Sequence, residues 1–210
     1  MTIDWLKFAP ALALLLTPGE IFYGEKLRHR NIEHDLDTYG KRALFHGQHA
    51  IDFARAALGT WLLVDSLQLD AGARGIAKYA VLLTQGAVRL AAVFVQMFVC
   101  RERDAVNAPF AFVAGTLLTG VAPTVGALAL VFAATVALGS RMLSLFFPVA
   151  AVAYAGIGFW FLGRGGLFNA SAGFFVAGAP WLVPMLLRRS VVISYRSKRS
   201  SDENRTLPAR

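Results

Sequence analysis

The chain has 210 residues, of which 56 % are hydrophobic and 16 % are charged, with a formal net charge of +8. Soluble domains average about 25 % charged residues. The mean hydropathy is +0.53, and residues 105–187 contain only two charged side chains, Arg141 and Arg164. These values exclude an ordinary soluble domain. The apolar segments lack the period-two alternation of a membrane β-barrel, so the composition predicts an all-α transmembrane helical bundle.

Five segments reach or approach the length of about 20 apolar residues that a helix needs to cross a membrane. The first contains no small-residue cleavage site after its apolar run, so we expect a retained helix rather than a removed signal. In chain order the expected spans are 5–23, 43–65, 76–100, 142–162 and 167–187.

A further apolar stretch, 108–138, is interrupted by Gly120, Pro123 and Gly126. One helix of this length would measure about 46 Å at about 1.5 Å per residue, which is too long for a bilayer without steep tilt. We therefore expect two short helices, or a re-entrant hairpin that turns near Pro123. The predicted fold is a bundle of about seven passes, or of six passes plus a re-entrant hairpin.

Basic residues concentrate in two polar segments: loop 24–42 has five Lys and Arg residues, and segment 188–210 has seven. Cytoplasmic connections are enriched in Lys and Arg. Two helices within 108–138 place both segments on one side, so we predict the N-terminus outside and the C-terminus inside. We expect a multi-pass protein of a cell membrane, namely the bacterial inner membrane. It has one membrane domain, 1–187, and a disordered basic cytoplasmic tail, 188–210.

The tail carries a net charge of +5, because its seven basic residues outnumber Asp202 and Glu203. Each Lys or Arg near anionic lipid contributes about 1 kcal/mol to membrane binding. Nucleic-acid binding is not expected, because Tyr195 is the one aromatic residue among these charges. The residues expected to contact anionic lipid are Arg188, Arg189, Arg196, Lys198 and Arg199.

Two of the expected spans carry polar and charged side chains near their middles, where a charge costs about 2.5–3.5 kcal/mol or more in a bilayer. At about 100° per residue, the members within each span share one helix face. They are Gln48, Asp52 and Arg55 in the second span, and Gln85, Arg89 and Gln96 in the third. This pattern favours a small channel or transporter with a polar intramembrane site for an anionic or small polar solute.

Asp52 and Arg89 lie 18 and 19 residues from a turn near residue 70, so an antiparallel pair of helices would place them at one depth. They could form a buried ion pair that only fixes the register of the helices. Alternatively, with Arg55, they could line a cavity of net charge +1. We expect Asp52 within salt-bridge distance of Arg89 or Arg55. Arg89 is the residue on which we expect activity to depend.

Two other functions stay open. All four histidines lie within 21 residues, and imidazoles interspersed with carboxylates suit Zn or Fe, which would fit a metal-dependent enzyme acting on a lipid-borne substrate. Their spacing differs from the histidine boxes of membrane desaturases and hydroxylases, and no catalytic or cofactor motif is present. A non-catalytic subunit could instead dock a membrane partner or a second copy through the polar helix face. The candidate metal ligands are His29, His34, His46 and His49.

Overall fold

The structure is a computed structural model that describes residues 1–19, 21, 27–31, 47–69, 77–98 and 105–196. Within these ranges the chain is mainly helical. Two 3-10 turns, Leu143–Leu145 and Gly163–Gly166, flank the sixth helix. The α-helices of the described ranges are α1 (Trp5–Leu16), α2 (Gly47–Ser66), α3 (Ala77–Phe98), α4 (Phe110–Leu118), α5 (Pro123–Gly139), α6 (Phe146–Leu162) and α7 (Leu167–Leu187).

Three helical segments of the described ranges are long and apolar enough to cross a membrane: Tyr79–Phe98, Leu143–Leu162 and Leu167–Leu187. The helices α1 and α5 are apolar but have only 12 and 17 residues. The helix α2 has 20 residues but contains three charged side chains. The structure therefore supports a helical membrane protein with three candidate spans, and the predicted seven passes are not established.

The stretch 108–138 forms two helices that meet in a hairpin. Proline is favoured at the first position of a helix because it needs no N–H there, and α5 begins at Pro123. A side chain at Gly126 would overlap the carbonyl group of Leu117 in α4, so glycine allows the two helices to approach closely. The chain breaks where the glycines and the proline predict it. The first arm, α4, has nine residues and is too short to cross a membrane alone.

The first helix is shorter than the predicted span 5–23. It ends at Leu16, and Thr17 takes an extended conformation with φ −67° and ψ 127°. Pro18 follows directly, and a residue before proline is disfavoured in the helical region. Proline therefore ends the helix one turn or more before the apolar run ends.

The bundle has two ends, which we name after their strands. At the β1 end, β1 (Thr2–Ile3) pairs antiparallel with β3 (Leu67–Gln68), so α1 runs antiparallel to α2. At the β5 end, β5 (Ser190–Arg196) lies between β2 (Leu27–Asn31) and β4 (Ala105–Asn107), antiparallel to the first and parallel to the second. These small sheets are not predicted by the sequence analysis, which expects helices alone.

Close contacts fix the order of the last helices. The antiparallel pair α6 and α7 packs through glycines: a Cβ on Gly158 would lie 3.2 Å from the Cβ of Ala170. The helix α3 runs parallel to α7: the Tyr79 ring lies 4.3 Å from the Phe168 ring, and further along both helices a Cβ on Gly86 would lie 3.1 Å from the Cβ of Ala172. The N-termini of α3 and α7 are therefore at the β1 end, and their C-termini are at the β5 end.

The beginning of the basic tail departs from the prediction. The sequence analysis expects disorder from Arg188 onward, whereas Ser190–Arg196 form β5. That expectation depends on charge and neglects the β-branched run from Val191 to Ile193, which favours a strand. Residues 197–210 lie outside the described residues. The pairing of β5 with β2 also brings part of loop 24–42 to the same end as the start of the tail.

We expect single cysteines placed in the two sheets to react from opposite sides of the membrane. In a Cys100→Ser background, Arg30→Cys and Ser194→Cys should react with a membrane-impermeant thiol reagent from the cytoplasmic side, because β2 and β5 are paired. Thr2→Cys and Gln68→Cys should react only from the outer side. Reaction of positions 30 and 194 from different sides would contradict both the sheet and the predicted topology.

Candidate functional site

The six side chains predicted to line one site divide into two groups. Asp52, Arg55 and Gln96 meet at the end of α1, near the β5 end, and we name them the capping cluster. Arg89 lies two turns before Gln96 in α3, about 10 Å further along the helix. Gln85 lies one turn before Arg89. The sixth predicted residue is Gln48. Five of the six side chains are buried, and Asp52 is half-buried.

The capping cluster satisfies backbone groups at the end of α1. The guanidinium of Arg55 donates to the carbonyl oxygen of Thr17 and, at 3.3 Å, to that of Leu14. The side-chain amide of Gln96 donates to the same Thr17 oxygen at 3.0 Å. Carbonyl groups at a helix C-terminus have no partner within the helix and carry partial negative charge. Arg55 and Gln96 therefore cap α1 from two different helices.

The members of the capping cluster also bind one another. Arg55 Nη2 donates to Asp52 Oδ1 and to Gln96 Oε1, each at 3.0 Å. The same Gln96 oxygen accepts the backbone N–H of Gly19 at 3.0 Å. The Arg55 guanidinium also lies over the Phe112 ring, 5.1 Å from its centroid. One positive and one negative side chain thus neutralise each other inside the cluster.

The expected opposition of Asp52 and Arg89 does not occur. Asp52 pairs with Arg55 on its own helix, and no described Asp or Glu forms an ion pair with Arg89. The reason is the position of α1, which packs against α2 so closely that a Cβ on Gly59 would lie 2.8 Å from Leu15 Cγ. The helix α2 consequently has few contacts with α3. Equal distance from a turn is not enough to make two residues neighbours.

A small cavity of about 30 Å³ adjoins the capping cluster at the β5 end. That volume holds about two water molecules. Its polar lining includes Gln48, His49 and Asp52 of α2 together with Asn107, whose side-chain amide donates to the Gln96 carbonyl at 3.2 Å. The His49 ring packs against Phe110, 4.5 Å between ring centroids.

The predicted metal ligands are only partly within the described residues. His34 and His46 lie outside them, and His29 lies on β2, where the backbone alone is described. His49 lies in the cavity wall. In the ranges that the structure describes, no three His, Cys, Asp or Glu side chains are grouped so that they could hold a metal ion. The proposed ligand set of four histidines remains a prediction.

Arg89 has a different environment from Arg55, the other buried charged side chain of the described residues. Its side chain is 1 % exposed. Its Nε donates to the Gln85 carbonyl at 3.1 Å, on its own helix, and its Nη1 has no hydrogen-bond partner. Arginine remains protonated in proteins. A full positive charge is therefore enclosed here with one hydrogen bond and no described carboxylate.

Residues from two other elements enclose the free end of Arg89. Gly120, in the turn of the hairpin, is so close that a Cβ there would lie 2.7 Å from Arg89 Nη1. Tyr154 of α6 is 0 % exposed, and its hydroxyl lies near the guanidinium without forming a hydrogen bond of good geometry. The Tyr154 ring lies directly on Gly173 of α7, where any side chain would overlap it. We name Gln85, Arg89, Gly120 and Tyr154 the Arg89 site.

Further buried polar atoms lie between this site and the β1 end. Asn169 Oδ1 is buried and has no hydrogen-bond partner, like Oε1 of Gln85, the member of the Arg89 site that lies on the same side of Arg89. Asn169 is in the first turn of α7, beside the N-terminal part of α3. The sequence analysis missed Asn169 and Tyr154, because each lies in a mainly apolar segment without a charged neighbour. The isolated amide of Asn169 is the one signal that could have indicated it.

We expect Gln96→Leu to destabilise the protein, because the carbonyl groups of Leu15 and Thr17 and the N–H of Gly19 lose a partner. A buried group left without a hydrogen bond costs about 1–3 kcal/mol. Asp52→Asn should also be destabilising, by up to about 3 kcal/mol, since it leaves Arg55 without its counter-charge. Thermal unfolding of the purified protein in detergent measures both effects.

The matched control is Asp65→Asn, which breaks the exposed ion pair of Asp65 with Lys7. Exposed pairs contribute little to stability, so this variant should unfold close to the parent protein. Equal unfolding temperatures for all three variants would show that the capping cluster does not hold α1 in place.

No protein-family model, no curated protein and no solved structure matches this chain. The chemistry of the capping cluster and of the Arg89 site is therefore the basis for assigning a function.

Proposed function

We propose that the chain is an integral membrane protein of the channel or transporter kind, whose pathway for a small anionic solute passes Arg89. The observation that carries this proposal is the contrast between the two buried arginines. Arg55 is neutralised by Asp52 at 3.0 Å, whereas Arg89 is 1 % exposed and has a free Nη1 with no described carboxylate beside it.

The physical argument depends on the cost of an isolated charge. Moving an ion out of water costs several kcal/mol even after the protein relaxes, and the cost is recovered only by a counter-charge and hydrogen bonds. Within a membrane the charge must be paired or must line a polar cavity. Because no described side chain supplies the negative charge at Arg89, a bound anion is the group that would complete the site.

Other buried polar groups lie on both sides of Arg89 along the bundle, and a solute pathway could pass them. Buried polar atoms of Asn169 and Gln85 lie toward the β1 end, and the polar cavity beside Asp52 lies at the β5 end. The hairpin turn at Gly120 reaches the guanidinium between them. Transporters commonly place discontinuous helices at substrate sites near the middle of the membrane, and the break between α4 and α5 would serve in this way.

The proposal keeps the predicted orientation and the contact with anionic lipid. Arg188 and Arg189 are exposed just after α7, at the β5 end. In a cell membrane with this end in the cytoplasm, both would lie at the level of the lipid headgroups, where basic residues are favoured.

We expect anion flux through proteoliposomes to depend on Arg89. Arg89→Lys keeps the charge but loses the planar fork of donors, and Arg89→Gln loses both. Efflux of a panel of small anions should fall several-fold in the first variant and about tenfold or more in the second. Arg141→Gln is the control, because it removes an exposed arginine after α5 and should leave flux unchanged.

Unchanged flux in Arg89→Gln would contradict the proposal. If, in addition, the purified protein held stoichiometric Zn or Fe that was lost in His46→Ala and His49→Ala, the metal-dependent enzyme would replace it. Co-purification of a stoichiometric membrane partner, with no anion flux, would instead favour the docking subunit.

A further inference from the structure

We infer that the turn between α4 and α5 forms the second half of the Arg89 site, and that the completed site selects small monovalent anions. This inference rests on the proposed function, because it assigns the ligand class of the same site. It adds Gly120 and the start of α5 as the elements that set the selectivity.

The first observation is the open N-terminus of α5. Pro123 occupies its first turn, and the preceding residue, Ala122, has no side-chain hydrogen bond that caps the helix. The N–H groups of the first turn of a helix have no partner within it, and the helix dipole places partial positive charge there. Such a terminus favours an anion. By itself this feature does not define a site.

The second observation is independent and comes from α3 and α6. Arg89 Nη1, buried and without a hydrogen-bond partner, lies against Gly120, three residues before Pro123. The hydroxyl of Tyr154 lies near the same guanidinium, without a hydrogen bond of good geometry. One turn beyond Tyr154, the backbone of α6 packs on α5: a Cβ on Gly158 would lie 3.6 Å from Val125. Polar groups from α3 and α6 thus lie close to the turn that leads into α5.

Charge and size together define the ligand class. The described residues give the site a charge of +1, from Arg89 alone, so a monovalent anion leaves it neutral. A divalent anion such as sulfate would leave a net charge of −1 away from water, which is costly. The ligand must also be small, because Arg89 and Tyr154 are 1 % and 0 % exposed and do not present their polar ends to a large molecule at the surface. Halides, nitrate and formate meet both conditions.

Gly120 offers a test that changes the geometry of the site without changing its charge. A Cβ at this position would lie 2.7 Å from Arg89 Nη1 and 3.2 Å from the Thr116 carbonyl. The guanidinium is the flexible end of a long side chain, so it can shift while the backbone stays in place. In Gly120→Ala the methyl group would therefore occupy ligand space and displace the donor.

The experiment measures anion binding to the purified full chain in detergent, by the rise in unfolding temperature with chloride, nitrate, formate, sulfate or phosphate at constant ionic strength. We expect saturable stabilisation by the three monovalent anions and none by sulfate or phosphate.

Gly120→Ala should weaken chloride binding about tenfold or more, which is about 1.4 kcal/mol. Gly139→Ala, where a Cβ meets nothing within 4 Å, should bind as the parent does. Tyr154→Phe, which removes only the hydroxyl, should weaken binding several-fold and provides a second measurement if Gly120→Ala does not fold.

Equal chloride affinity in the parent, Gly120→Ala and Tyr154→Phe proteins would overturn the inference, as would sulfate binding at the strength of chloride. The result is separable from that of the flux assay. Chloride binding that depends on Gly120, without flux in proteoliposomes, would support the site and contradict the pathway. Flux that depends on Arg89 but is unchanged in Gly120→Ala would support the pathway and overturn this inference.

Discussion

The carbonyl groups at the end of α1 need hydrogen-bond donors inside the bundle, and much of the arrangement follows from how they are satisfied. Pro18 stops α1 beside α2 and α3, before the apolar segment ends. Arg55 from α2 and Gln96 from α3 supply the donors. The end of α1 therefore links α2 to α3, two helices that otherwise have few contacts. Asp52 completes the arrangement by neutralising Arg55.

Because Asp52 pairs with Arg55, it is not available to neutralise Arg89, the second buried arginine. A chain with one carboxylate among these buried groups can neutralise one of its two buried arginines, and the structure assigns that carboxylate to Arg55. Arg89, about 10 Å further along α3, keeps its charge beside Gly120 and Tyr154. The two arginines are similarly buried, at 5 % and 1 % exposed, yet one serves the fold and the other offers unused donors.

The sequence predicted what depends on local pattern and missed what depends on packing. Apolar length predicted the span 167–187, whose bounds match α7, and Pro123 predicted the break between α4 and α5. Residue spacing also predicted which helix faces carry Asp52 and Arg89. Whether these two side chains pair depends on the position of α1 against α2, and the periodicity of a sequence carries no information on which helices are neighbours. Tyr154 was missed because a single tyrosine in an apolar helix resembles a packing residue. The strand β5 was missed because basic residues surround its β-branched centre.

The most direct test of whether an anion completes the charge at Arg89 is anomalous diffraction from crystals of the protein grown in bromide, an anion of the proposed class. The account predicts an anomalous peak in contact with Arg89 Nη1, between the hairpin turn and the Tyr154 hydroxyl. Bromide peaks confined to exposed arginines, together with an empty or carboxylate-filled space at Arg89, would contradict it.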